Sequence, residues 1–309
     1  MKCLIAIVGP TAVGKSRLAL YLAQHLGGEI VNADSRQVYR YMDIGTAKPS
    51  KEERAMVPHH LIDVVNPDET FSLAIYRQLA VQSISEIQQK GKVPLLVGGC
   101  GLYVWAVVEG WQIPAVPPNP ELRRTLEQRA KEKGVDELFR ELQQVDPAAA
   151  TKIMPANLRR IIRALEVYLV SGEPISRGWR KTPPSFPILI VGLTLPRAEL
   201  YRRIDARVDE MIKSGLVEEV KELLDRGYGL NLPAMSGIGY KQIGMYLQNI
   251  IGLEEAIQQI KWQTHRFARQ QYAWFRPNDP RIHWFNGENS ELRGNVVRLV
   301  EAFLSRESG

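Results

Sequence analysis

The most specific chemistry in the chain sits in the run Gly9-Pro10-Thr11-Ala12-Val13-Gly14-Lys15-Ser16, which matches G-x-x-x-x-G-K-[ST] in full. Glycines let a backbone fold tightly around phosphate oxygens, so that its N–H groups point inward with a helix dipole behind them. In such a turn Lys15 reaches the terminal phosphates and the Ser16 hydroxyl binds Mg²⁺. The turn works only between a strand and a helix, and the sequence supplies both. Residues 3–8 read CLIAIV, the continuous apolar run of a buried parallel strand. Leu18, Leu22 and Leu26 then recur at a spacing of four, closed by Gly27-Gly28. Phosphate binding follows from this order, but the identity of the phosphate compound does not.

Other candidate groups lie where strands are expected to end. A strand at 29–32 runs into Asp34, whose carboxylate there could hold a metal through water, act as a base, or cap the next turn. A strand at 93–97 is followed by Gly98-Gly99-Cys100-Gly101, where a P-loop ATPase usually carries an aspartate for Mg²⁺. Glycines in its place weaken the hydrolase reading and suggest close approach of the backbone to a substrate. His59 and His60, in a short extended segment, have no Cys or third His nearby and read as ordinary hydrogen-bonding residues. A long helix expected over 198–226 puts Arg203 and Arg207 on one face a turn apart, and spacing does not choose which could clamp a diphosphate. The small-residue turn Ser236-Gly237-Ile238-Gly239-Tyr240-Lys241 suggests close packing before a further helix.

The elements that position these groups form an α/β chain of 309 residues with 45% hydrophobic and 24% charged residues, which excludes disorder and fibrous repeats. No apolar run reaches the roughly 18–20 residues of a membrane helix, and no signal peptide fits ahead of Cys3. Two cysteines, Cys3 and Cys100, make neither a disulfide framework nor a zinc site, so a cytoplasmic protein is expected. Proline-dense stretches at 114–120 and 183–185 bracket helical patterns at 122–133, 135–145 and 157–171. The expected architecture is a P-loop parallel-sheet core made of 1–114 and 186–309, interrupted by an all-helical insertion at 115–185.

Net charge is +6, and it is concentrated: residues 154–185 and residues 261–276 are each net +4. Arg159, Arg160 and Arg163 carry the first stretch, and Arg266, Arg269 and Arg276, interleaved with Trp262, His265 and Tyr272, carry the second. Arginine for phosphate, with guanidinium or aromatic planes for bases, is what a nucleic-acid surface requires. A solvated helix face is the bland alternative. The two stretches together, on a phosphate-binding core, favour nucleic acid.

Taken in order along the chain, GPTAVGKS at 9–16, NADSRQVY at 32–39, MDIGTAKP at 42–49, HHLID at 59–63, DPAAATKI at 146–153, RALEVY at 163–168, IGYKQ at 238–242 and ARQQYAWFR at 268–276 resemble the tRNA isopentenyltransferase family. The resemblance implies transfer of a dimethylallyl group from dimethylallyl diphosphate to N6 of adenosine 37, beside the anticodon of tRNAs reading UNN codons. It also implies Mg²⁺ as cofactor and the anticodon stem-loop as partner, with nothing requiring more than a monomer. By resemblance, Gly9 to Ser16 and Arg207 hold the donor diphosphate, Asp34 is the general base, and Thr11 lies near the reacting centre. RNA contacts carried over by position fall on Asp34, Ser35, Arg36 and Gln37, and on Cys100 and Arg123. They continue at Arg159, Arg160, Ile161, Ile162 and Arg163, and at Ser236, Gly237, Ile238, Gly239, Tyr240 and Lys241. The last group is Arg269, Gln270, Gln271, Tyr272, Ala273, Trp274, Phe275 and Arg276. The chain departs from the family pattern at Cys100, where threonine is usual, at Ala156-Asn157, where Asn-Asp is usual, and at Arg269-Gln270-Gln271, where Lys-Arg-Gln is usual.

Three rival readings remain beside this one: a small-molecule kinase using ATP in the same P-loop, a prenyltransferase acting on free AMP or ADP, and a non-catalytic RNA-binding module. The kinase gives no purpose to the basic stretches, and the nucleotide prenyltransferase should not need Arg159 to Arg163.

Overall fold

The computed structural model describes residues 2–114 and 116–306. They form two compact units, one of 1–108 with 184–309 and one of 109–183. Ala115, where the sequence places the start of the insertion, lies outside the described residues.

The larger unit is built on a parallel sheet. Its first half runs β1 (Leu4–Val8), α1 (Lys15–Leu26), β2 (Glu29–Asn32), α2 (Lys51–Met56), β3 (His59–His60), α3 (Leu73–Gln89), β4 (Pro94–Val97) and α4 (Gly101–Val108). The smaller unit consists of α5 (Pro120–Lys133), α6 (Val135–Val145), α7 (Pro147–Ala150) and α8 (Leu158–Ser171). The chain then returns to the larger unit with β5 (Ile188–Thr194), α9 (Arg197–Lys213), α10 (Leu216–Asp225), α11 (Tyr240–Leu247), α12 (Leu253–Trp274), β6 (Ile282–Asn286) and α13 (Leu292–Arg306).

Strand order is β3-β2-β4-β1-β5-β6, every pair parallel. Every residue of β1 is buried, which is why its sequence is apolar without alternation: both faces are covered by helices. Each such aliphatic side chain contributes roughly 1.5–3 kcal/mol by leaving water. The parallel order sends the turns after β1, β2 and β4 to one edge of the sheet, where ligands of open α/β sheets bind.

The single helix expected over 198–226 is two. α9 ends at Lys213, with Ser214 as its cap, and α10 starts after Gly215, whose φ of 98° lies in the left-handed region that breaks a helix and favours glycine. The apolar stripe continues across the break because both helices bury it, with Leu200, Ile204 and Val208 before it and Val220 and Leu223 after. α9 and α10 can therefore point side chains in different directions.

In the helical unit, Leu126, Leu138, Leu142, Ile161 and Leu165 make the core. Asn119 caps α5 by accepting from the Leu122 N–H, with Pro120 in the first turn, and Asn157 caps α8 by accepting from the Arg160 N–H. The ends of the unit are pinned together: the Gln112 N–H donates to the Arg180 carbonyl at 2.9 Å and the Thr182 N–H to the Gly110 carbonyl at 3.0 Å.

Candidate active site

A cavity of about 660 Å³ opens over the ends of β1, β2 and β4 in the larger unit. Its floor is the turn at residues 9–16. Ala12 is held at φ 64°, a strained conformation for a residue with a Cβ and one found where backbone is shaped around a ligand. Gly14 starts α1 with no side-chain cap, so the N–H groups of the first turn are left to an anion. Lys15 Nζ donates to the Pro10 carbonyl at 2.6 Å. Desolvation pulls its pKa down to about 7, helped by the Arg207 charge and opposed by Asp34. A bound diphosphate would restore the cation.

Of the two arginines on one face of α9, Arg207 is the one that reaches the turn: its Nη1 lies 3.4 Å from Thr11 Oγ1. Burial lowers the Arg207 pKa, and the Asp34 charge works against that shift. Arg203 is instead paired with Glu199, Nε to Oε1 at 2.6 Å.

Asp34 follows β2 in a side-chain turn. Its N–H donates to Asn32 Oδ1 at 3.0 Å and its Oδ1 accepts the Arg36 N–H at 2.8 Å. Oδ1 thus caps the turn, while Oδ2 has no hydrogen-bond partner among the described residues and Asp34 lines the cavity. The Arg36 guanidinium is spent on the Pro233 and Ala234 carbonyls, at 2.8 and 3.2 Å, which ties this turn to the stretch leading into Ser236–Lys241. Gln37 likewise donates to the carbonyls of Thr46 and Ala47.

The glycines after β4 line the cavity, as close approach to a substrate would need, and they also stand close to protein. A Cβ at Gly98 would stand 2.1 Å from the Ala33 carbonyl oxygen, and one at Gly99 would stand 2.2 Å from Gln271 Nε2. Gln271 itself is buried on α12. Its Oε1 accepts the Thr11 N–H at 2.8 Å and its Nε2 donates to the Gly99 carbonyl at 2.9 Å. Its side chain thus joins two turns of the site and does not face out to RNA as its position in the motif implies.

The upper wall is apolar: Ile204, Val208 and Met211 from α9, Ile260 and Phe267 from α12, and Ile238. One carboxylate organises the loop opposite. Glu219 on α10 accepts the N–H groups of Asp43, Ile44 and Gly45 at 2.7–3.1 Å and the Tyr240 hydroxyl at 2.6 Å. Burial, then the Glu219 charge, pushes the Tyr240 phenol well up, so it stays a donor. Nothing in the sequence pattern singled out Glu219.

The other expected RNA residues of this unit divide by exposure. Ser236, Lys241, Arg269, Gln270, Ala273 and Arg276 are exposed, and Ser35 and Cys100 are half-buried at the cavity. Gly237, Gly239, Tyr240 and Phe275 are buried. Tyr272 shares a hydrogen bond with Thr194 at 2.7 Å, and the Trp274 carbonyl accepts from Trp105 Nε1 at 2.9 Å. Burial raises the Cys100 thiol pKa. His60 pairs with Glu29 at 2.7 Å and His59 bonds the Val57 carbonyl at 2.7 Å.

In the helical unit, Arg159 and Arg160 are exposed at the start of α8, while Ile161 and Ile162 are core residues. Arg123 grips the fully buried Glu166 with two bonds of 2.8 Å, and Arg163 adds a third at 2.6 Å. These two arginines hold the unit together. Arg159 and Arg160 have no ion-pair partner among the described residues.

A phosphate-binding turn flanked by an arginine and a carboxylate, beneath an apolar wall, defines a P-loop α/β protein suited to a ligand that is part anion and part hydrocarbon. A family model described as IPP transferase matches residues 37–278. The tRNA dimethylallyltransferase of Roseiflexus castenholzii is 57% identical over 273 residues, 88% of this chain and 89% of that one. A solved tRNA isopentenylpyrophosphate transferase from Bacillus halodurans matches with TM-score 0.73 and 40% identity, covering 100% of this chain and 98% of that chain. A eukaryotic dimethylallyltransferase acting on tRNA matches with TM-score 0.83 and 27% identity, covering 99% of this chain and 80% of that one. The chain belongs to the IPP transferase family.

Proposed function

We propose that this chain transfers a dimethylallyl group from dimethylallyl diphosphate to N6 of adenosine 37 in the anticodon stem-loop of tRNAs reading UNN codons. The observation that carries the reading is the shared cavity, which the P-loop, Arg207 and Asp34 line together with the apolar side chains of Ile204, Val208 and Ile260. The first group fits a diphosphate and the second a five-carbon hydrocarbon.

An adenine N6 is a poor nucleophile because its lone pair is delocalised into the ring. In this reading N6 bonds to C1 of the allyl group as the C1–O bond breaks, and the electron pair of that bond leaves with diphosphate. The displaced N6 proton passes to Asp34 Oδ2. Lys15, Arg207 and the free N–H groups of the turn meet the growing negative charge, and the apolar wall keeps water from the allylic cation. The base leaves the anticodon-loop stack to reach the cavity, and recognition of splayed loop bases is the usual mode for sequence-specific RNA binding. Arg159 and Arg160 of the helical unit, with Lys241 and Arg276 of the larger one, contact the RNA backbone in this scheme.

A divalent cation fits the site as a companion of the diphosphate. The described residues hold no group of three His, Cys, Asp or Glu side chains that could bind one alone, and the exposed Ser16 hydroxyl offers one hard oxygen ligand. When bound, Mg²⁺ neutralises charge on the leaving diphosphate. No helix among the described residues is long and apolar enough to cross a membrane. Two cysteines, Cys3 and Cys100, give no disulfide framework, which suits a reducing compartment, and we place the enzyme in the cytoplasm as a monomer.

The deciding experiment supplies labelled dimethylallyl diphosphate and Mg²⁺ with an anticodon stem-loop carrying the A36-A37-A38 run, with AMP and ATP as controls. Label on the stem-loop with diphosphate released is the expected result. Label on AMP alone would redirect the reading to free nucleotides, and ADP formation from ATP would redirect it to a kinase.

A further inference from the structure

α9 and α12 pack antiparallel with a ladder of side chains between them. On the first two rungs a carboxylate faces a basic side chain: Lys261 pairs with Asp209 at 2.7 Å, and His265 Nε2 lies 2.8 Å from an Asp205 carboxylate oxygen. Four residues further along each helix the ladder changes character. Arg269 meets Tyr201, its Nη1 donating to the phenol oxygen at 2.5 Å, and Arg197 Nε donates to the same oxygen at 3.1 Å.

A neutral phenol thus stands where the pattern of the seam puts a carboxylate. Neither Arg197 nor Arg269 has a carboxylate within ion-pair distance among the described residues. The nearby Glu199 is taken by Arg202 and Arg203. The phenol is held in place by its ring, stacked on His265 at 4.0 Å between centroids and 7° between planes. Two exposed guanidinium groups are therefore gathered on one oxygen with no compensating charge. Arg197 also stands in the first turn of α9, where a cation opposes the helix dipole and an anion is favoured. Structural reasons alone would put an acid there.

We infer that Arg197 and Arg269, gathered on the Tyr201 hydroxyl, seat one phosphodiester of the RNA substrate. The site rests on the proposed RNA substrate and extends it to α9, which no motif of the sequence covers at this point. Guanidinium forks match phosphate oxygens in pairs, and the remaining N–H groups of both arginines are free to take them. The seat is outside the cavity that takes the donor, so its ligand is RNA backbone and not free diphosphate.

The test measures binding of the unmodified stem-loop by fluorescence anisotropy across a salt series, for Arg197→Ala, Arg269→Ala, the double variant and Tyr201→Phe. Thermal melting and calorimetric binding of dimethylallyl diphosphate run alongside. Each single Ala variant should weaken RNA binding and reduce the slope of log K against log salt by about 0.7–0.9, the value for one phosphate. Because both arginines serve the same phosphate, the double variant should lose about the same slope as either single one. Tyr201→Phe, which keeps the stacked ring, should weaken RNA binding less than either Ala variant. Donor binding and melting should not change. An unchanged salt slope in the single variants overturns the inference, as does twice the loss in the double variant, which would mean two separate phosphates. Weakened donor binding overturns it too, by locating the effect at the P-loop. A parent chain that binds no stem-loop overturns the tRNA reading itself, a result that the variants are not needed to see.

Discussion

Gln271 and Thr11 lie 260 residues apart in sequence and meet at 2.8 Å, the side-chain carbonyl of one accepting the backbone N–H of the other. The other end of the same amide holds the Gly99 carbonyl, so α12 fixes the turns after both β1 and β4. Gln271→Met keeps the volume and removes both bonds. The expected outcome is a raised KM for dimethylallyl diphosphate with little change in stem-loop affinity, read by steady-state kinetics and anisotropy. A loss confined to RNA affinity would return Gln271 to the RNA surface.

Asp34 supports its own turn with Oδ1, while Oδ2 has no hydrogen-bond partner among the described residues, so two substitutions separate the proposed roles. Asp34→Asn can keep the bond to the Arg36 N–H but cannot take a proton, whereas Asp34→Ala loses both. Each should lower turnover by roughly 10²–10⁴-fold while the stem-loop still binds. Near-parental turnover in Asp34→Asn would remove the base from this position.

Lys15 begins to lose its charge near pH 7, well below its ordinary value. Diphosphate favours the protonated amine, so donor binding takes up a proton above that pH. Affinity for dimethylallyl diphosphate should fall as pH rises through about 7, by up to about tenfold per unit. Calorimetry at pH 8 in buffers of different ionisation enthalpy should register the uptake. A pH-independent affinity from 6 to 9 would contradict it. Lys15→Ala should weaken the donor and flatten the profile.

Glu166 is fully buried beneath Arg123 and Arg163. Removing a buried carboxylate strands its partners, so Glu166→Ala should cost the helical unit about 3 kcal/mol in denaturant unfolding. Arg160→Ala should leave that transition in place and instead weaken stem-loop binding with a shallower salt slope. The reverse pattern would exchange the structural and the RNA-facing arginines.

What was legible in the sequence was local. β1 announces itself as a continuous apolar run and β2 as a short strand, and the phosphate-binding turn and Asp34 follow directly from them. Helix periodicity located α6 to the residue, because Leu138 and Leu142 face a core made within the same unit. β6, reading IHWFN at the sheet edge, has no comparable signal, since a strand with one neighbour need not be apolar on both faces. The break at Gly215 was hidden because the apolar stripe continues through it. The inward role of Gln271, expected at the RNA surface, and the part played by Glu219 were illegible for a different reason. The backbone groups they hold lie more than a hundred residues away, and a polar side chain gives no sign in sequence of which distant backbone it will satisfy.

Glu219 carries a consequence for any attempt to exchange parts between relatives. The loop around Asp43–Gly45 hangs from its carboxylate, and so does Tyr240, whose ring lies close enough that a Cβ on Gly45 would come within 2.5 Å of it. Three stretches distant in the chain are therefore a single transplantable cassette. A graft of residues 42–49 from a donor protein should fold productively only if positions 219 and 240 travel with it.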